Sequence, residues 1–128
     1  MDSKLQKAGE AVRRKVLGDD YVDRAIGNAD DFSRPLQDML NEYCWGTCWT
    51  DAALDLKQRS LLNLGMLAAL GRMHEFGVHF RGAMRNGLGD DELRAALIQI
   101  AVYCGVPAGV EAFRVARAVR DEAKADTP

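Results

Sequence analysis

The sequence predicts an all-α protein. Apolar residues recur at three- and four-residue spacing along nearly the whole chain, glycine and proline punctuate that pattern at intervals of a helix length, and no alternating apolar and polar run reaches strand length. Leu5, Ala8, Val12 and Val16 give a first helix over residues 5–16, which Gly18-Asp19-Asp20 interrupts before Tyr21, Arg24 and Ala25 begin a short second piece. These two pieces read as an N-terminal arm, residues 1–32. Ser33-Arg34-Pro35 then supplies a candidate cap and an early proline for a helix with Leu36, Met39, Leu40 and Tyr43 inward, weakened at Gly46 near Trp45 and Trp49.

The next helix, around Leu56 to Leu70, has little polar surface beyond Asn63 and is expected to be buried on several sides. Gly71 stops it. A further helix ends at Arg85-Asn86-Gly87, where Gly87 suits a left-handed C-terminal cap. Asp90, Asp91 and Glu92 favour the positive end of another helix, and Leu93, Ala96, Leu97, Ile100, Ala101 and Cys104 form its apolar stripe. Pro107 opens a final helix with Ala108, Ala112, Val115, Ala116 and Val119 inward, and the tail from Lys124 frays.

With 128 residues and 48% hydrophobic content, the chain is about one domain's worth. Seventeen basic against nineteen acidic residues leave a formal charge of -2, so there is no basic stripe for nucleic acid. The N-terminus lacks a signal-like apolar run and no segment approaches membrane-span length, which points to a cytoplasmic protein. Three cysteines argue against a disulfide framework. The two histidines make a poor metal site, and neither a nucleotide-binding glycine loop nor a Gly-x-Ser-x-Gly elbow occurs, so no metal or cofactor is expected. So apolar a central helix, with two tryptophans, suggests more hydrophobic surface than one helical layer covers, hence a homo-oligomer.

His79 is the leading candidate for chemistry. On a helix it shares a face with Glu75, one turn earlier, so a carboxylate can orient or charge the imidazole. His74 falls about 140° away round the helix and belongs to a different face.

Six segments carry a resemblance in their order and spacing: Tyr43-Cys44-Trp45-Gly46, Leu54 to Leu62, Ala68-Ala69-Leu70-Gly71-Arg72, Glu75 to His79, Arg85-Asn86-Gly87, and Gln99 to Ala108. Together they resemble the carboxymuconolactone decarboxylase family over roughly residues 34–120. The resemblance implies the alkylhydroperoxidase D-like helical fold of about six helices, assembled as trimers or hexamers. It implies a cofactor-free decarboxylase of the β-ketoadipate pathway that converts γ-carboxymuconolactone to its enol-lactone and CO2, or a relative acting on a similar lactone.

Such chemistry needs a cationic grip on substrate carboxylates, donors for the growing enolate oxygen and an acid to protonate carbon. His79 is the expected acid, with Glu75 or Glu42 as its carboxylate. Arg59 and then Arg85 are the favoured clamp from a reservoir that includes Arg72 and Arg81, arginine being suited to bidentate carboxylate binding. Trp45 and Tyr103 are expected to line the pocket, and Trp49 to anchor an interface. Each residue has a plainer reading: His79 as a solvated or structurally paired side chain, Arg59 as a surface ion pair, the tryptophans as core. Cys44 and Cys48, four apart, support an alternative thiol peroxidase or disulfide reductase like the alkylhydroperoxidase D relatives. Those relatives, however, carry Cys-x-x-Cys close before the histidine, and Cys44 and Cys104 read equally well as buried apolar fillers. A non-catalytic binding protein is a third possibility. Thr47 stands where the family commonly has glutamate, and Asp51 to Leu54 departs from its usual turn, which bears on lactone specificity.

Overall fold

The computed structural model describes residues 3–126 as seven α-helices and one π-helix, with no strand among the described residues. The chain divides into two compact units, Met1–Leu56 and Lys57–Pro128.

In the first unit, α1 (Lys4–Leu17) begins at a capping box: Ser3 accepts from the Gln6 amide and Gln6 returns a side-chain acceptor to the Ser3 amide. Gly18, at φ 89, turns the chain into α2 (Asp19–Gly27). After a loop in which Ser33 bonds Asp30 rather than capping the next helix, α3 (Arg34–Met39) runs directly into the π-helix Leu40–Trp49. Those Ser33 hydrogen bonds hold the Asp30 carboxyl below its ordinary range.

The π-helix is the main departure from the sequence expectation. Its wider turn brings residues four apart nearly into line, so the buried stripe is Asn41, Trp45 and Trp49. The stripe expected from α-helical spacing points outward instead, with Leu36, Met39 and Tyr43 exposed. Trp45 and Trp49 keep only 5% and 7% of their surface and stack with ring centroids 4.7 Å apart, packed with Val16. Both rings are buried in this unit's own core, where Trp45 was expected to line a pocket and Trp49 to anchor an interface.

Within the region expected as an N-terminal arm, α1 lies along the π-helix at very short range. A Cβ on Gly9 would overlap the Asn41 carbonyl oxygen, and one on Gly46 would come within 2.6 Å of the Leu5 carbonyl oxygen. Arg13, 4% exposed, reaches the Gln37 and Asn41 side-chain oxygens at 2.9 and 3.0 Å, and burial lowers its pKa.

The second unit comprises α4 (Leu56–Leu70), α5 (Met73–Arg85), α6 (Asp90–Cys104) and α7 (Val106–Ala125). Leu64, Phe76, Phe80, Leu93, Leu97, Ile100 and Ala112 form its core. The stop signals read from sequence, Gly71 and Gly87, take positive φ, as does Gly105, and Pro107 lies in the first turn of α7. Gly109 lets α7 approach α6, since a Cβ there would sit 2.8 Å from the Ala101 Cα. Arg81 on α5 bonds Asp126 beyond α7 at 2.6 Å, and Arg120 on α7 grips both oxygens of Asp90 at 3.2 and 2.8 Å.

Helix α4 is less enclosed than its composition suggests. Ser60, Leu64 and Ala68 are buried, whereas Leu62, Met66 and Leu70 are exposed. A helix flanked on one side only buries one stripe, whatever the hydrophobicity of the rest. On α6, Ile98, Val102 and Tyr103 likewise face outward. Cys44 and Cys104 are exposed, as is Cys48, so the buried-filler reading of the first two does not hold. No helix among the described residues is long and apolar enough to cross a membrane.

Candidate active site

Helices α4 and α5 run antiparallel across the Gly71 turn, and two polar contacts tie them. Near the start of α4, buried Ser60 accepts a hydrogen bond at 2.8 Å from Asn86, which caps the end of α5. Further along, the Asn63 amide nitrogen lies 3.4 Å from His79 Nδ1. Ser60→Ala is expected to cost about 1 kcal/mol, the usual net value of one hydrogen bond, read as a lower urea midpoint at unchanged slope.

His79 is half-buried, and its surroundings reverse the charging expected from Glu75. Burial pulls its pKa down to about 4, while Glu75, exposed one turn earlier, raises it by too little to compensate. The imidazole is therefore neutral at pH 7. Because the folded pKa lies below the ordinary 6.5, the unfolded chain binds the proton first as pH falls. The His79 contribution to stability is complete above about pH 6.5 and is lost progressively down to pH 4. The slope, about 1.4 kcal/mol per pH unit, should disappear in His79→Gln when unfolding free energies are compared between pH 7 and 4.5.

Arg59 stands one turn before Asn63 on α4 and is half-buried, so Arg59 and Asn63 share a face of α4 as Glu75 and His79 share one of α5. Arg85 is exposed in the last turn of α5. Arg81 leaves the reservoir of clamp candidates, being bound to Asp126 and, at 3.8 Å, to Glu122. Arg72 is exposed at the start of α5. The polar group on α4 and α5 is thus Arg59, Asn63, Glu75 and His79, and Asn63 is the member that sequence reasoning passed over. Its isolation in Leu61-Leu62-Asn63-Leu64 was the available signal, because an amide in an apolar run calls for a partner.

The remaining candidates stand on other elements. Tyr103 is 83% exposed and lines a groove of about 680 Å³ between α4 and α6, together with Met66, Gln99 and Cys104. That groove includes neither His79 nor Arg59. Glu42, Cys44 and Cys48 stand on the π-helix of the first unit, where the Glu42 carboxylate faces the Gln6 amide at 3.4 Å. Thr47 donates to the Glu42 carbonyl at 3.2 Å.

The contact printed across the two helices is the one between Asn63 and His79, with Arg59 one turn before Asn63 on α4 and Glu75 one turn before His79 on α5. Residues 34–118 match the carboxymuconolactone decarboxylase family. The chain is 46% identical over 112 residues to the nitrosuccinic acid decarboxylase of Metarhizium robertsii, covering 88% of this chain and 78% of that protein. It is 35% identical over 118 residues to the 4-carboxymuconolactone decarboxylase of Acinetobacter baylyi, covering 92% and 88%. A 4-carboxymuconolactone decarboxylase of Pseudomonas putida is 43% identical over 47 residues, 36% of this chain. In its helical architecture, its ordered motifs and its match across most of its length, the chain belongs to the carboxymuconolactone decarboxylase family.

Proposed function

We propose that this carboxy-lyase removes CO2 from a small dicarboxylate whose departing carboxylate lies next to an electron-withdrawing group, with α4 and α5 as the reacting face. Two substrates fit that description. Nitrosuccinate loses CO2 into a nitro group, and γ-carboxymuconolactone loses it into a conjugated lactone. Each keeps a second carboxylate for a cation to hold. Nitrosuccinate is the first choice, supported by the higher identity to its decarboxylase and by Thr47 in place of the glutamate common in the family. The lactone, expected from sequence alone, is the second reading, supported by the relative matched over 92% of the chain.

In the proposed reaction Arg59, backed by Arg85, holds the carboxylate that stays. The C–C bond to the other carboxylate breaks, CO2 leaves, and the electron pair moves onto the nitro or carbonyl oxygen. A proton from solvent then replaces CO2 on carbon. His79 enters uncharged, so its role changes from the acid first expected to a neutral N–H donor toward the developing oxyanion. A donor placed where charge grows lowers the barrier without any proton transfer. The observation that carries this reading is a half-buried histidine whose ring meets the Asn63 amide of α4 at 3.4 Å.

A homo-oligomer belongs to the same reading, supported by the exposed apolar residues Leu62, Met66, Ile98 and Val102 on α4 and α6. The deciding experiment for substrate is a comparison of kcat/KM for nitrosuccinate and γ-carboxymuconolactone with the purified protein. A preference of at least about tenfold for nitrosuccinate is expected; a reversed preference assigns the lactone.

A further inference from the structure

We propose that Asn63 is the positioning residue that fixes the tautomer of His79, so that the imidazole offers a hydrogen-bond donor, not a base, to whatever binds beside it. The functional part of this inference rests on the role given to His79 above; the structural part does not.

The argument starts from the chemistry of an amide. The Asn63 nitrogen, 3.4 Å from Nδ1, carries two hydrogens and no acceptor lone pair, so it can only donate. Nδ1 must then accept, and the proton of a neutral imidazole sits on Nε2. An aspartate at position 63 would have the opposite effect: a carboxylate accepts, placing the proton on Nδ1 and leaving Nε2 as a basic lone pair, the arrangement of a histidine general base. A single amide in place of an acid thus selects donor chemistry at the opposite ring nitrogen.

The other groups around α5 do not override that selection. Glu75, on the same helix, favours the imidazolium but loses to burial. From α7, Val115 and Val119 face α5 at Gly77, while Glu122 and Asp126 are held by Arg81. On α4, Arg59 stands one turn before Asn63. Asn63 is half-buried inside an otherwise apolar run, where a bonded partner favours it.

The test is nitrogen-15 NMR of the imidazole in the full chain labelled at histidine, with His79→Gln distinguishing its signals from those of His74. The expected wild-type result is an unprotonated Nδ1 and a protonated Nε2 at pH 7. Asn63→Asp should move the proton to Nδ1 and raise the titration midpoint of His79 by at least about one pH unit, a tenfold change in proton affinity. The pH profile of kcat/KM should shift with it. Asn63→Leu, matched in shape but without a donor, should lose the tautomer preference. A wild-type His79 protonated at Nδ1 overturns the proposal by itself, without any variant having to fold. An Asn63→Asp protein with unchanged tautomer and titration overturns it as well. These readouts require no substrate, so a failure of the decarboxylation reading is seen separately, as absent turnover by a protein whose tautomer is as expected.

Discussion

His79→Ala is expected to lower kcat for decarboxylation by about 10²- to 10³-fold, the usual loss when one donor to a developing oxyanion is removed. His79→Gln should recover a substantial part of that loss. Glutamine can place an N–H near the position of Nε2 but cannot ionise, so it separates the donor role from the acid role first expected of this residue. Equal inactivity of the two variants, both folded, would return His79 to proton transfer. The binding constant for substrate, taken as KM where chemistry is slow, should change little, because the donor strengthens its interaction only as charge moves onto oxygen.

The second large effect is on stability. Gly9→Ala places a methyl group against the Asn41 carbonyl oxygen, the Gly46 amide nitrogen lies 2.5 Å from the same point, and both are backbone atoms inside the π-helix that cannot swing aside. Overpacking a rigid contact of this kind costs about 3 kcal/mol or more. The measurement is the thermal or urea midpoint of Gly9→Ala beside Gly27→Ala, where the added methyl meets nothing within 4 Å. A large loss at position 9 and a small change at position 27 are expected. A Gly9→Ala protein as stable as wild type would mean that α1 does not lie on residues 41–49 as described.

The parts of the fold that depend on α-helical periodicity and glycine punctuation were readable from the chain. Leu93, Leu97 and Ile100 are buried on α6 as their spacing requires, and Gly71, Gly87 and Gly105 end helices where their conformational freedom is needed. Residues 40–49 were not readable in this way. A π-helix changes the register by about one residue per turn, so Tyr43 points out while Asn41, Trp45 and Trp49 face inward, and Leu36 and Met39 on α3 are exposed because no described residue covers that side of the short helix. The spacing also could not say how many sides of α4 would be covered, since composition reports hydrophobicity and not what surrounds a helix.

At the site, the Glu75–His79 spacing was legible and its electrostatic outcome was not. Burial outweighs a neighbouring carboxylate here, and burial depends on which residues α4 sets against α5. Asn63, sixteen positions away in sequence, becomes the residue in contact with the ring only once the helices are folded together.

The central claim, decarboxylation at the α4–α5 face, is tested most directly by following CO2 release from nitrosuccinate and from γ-carboxymuconolactone with the purified protein and with His79→Ala. The account predicts stoichiometric CO2 from at least one of the two, reduced about a hundredfold or more by the substitution. No CO2 from either substrate with folded wild-type protein, or release unaffected by the loss of His79, would contradict it.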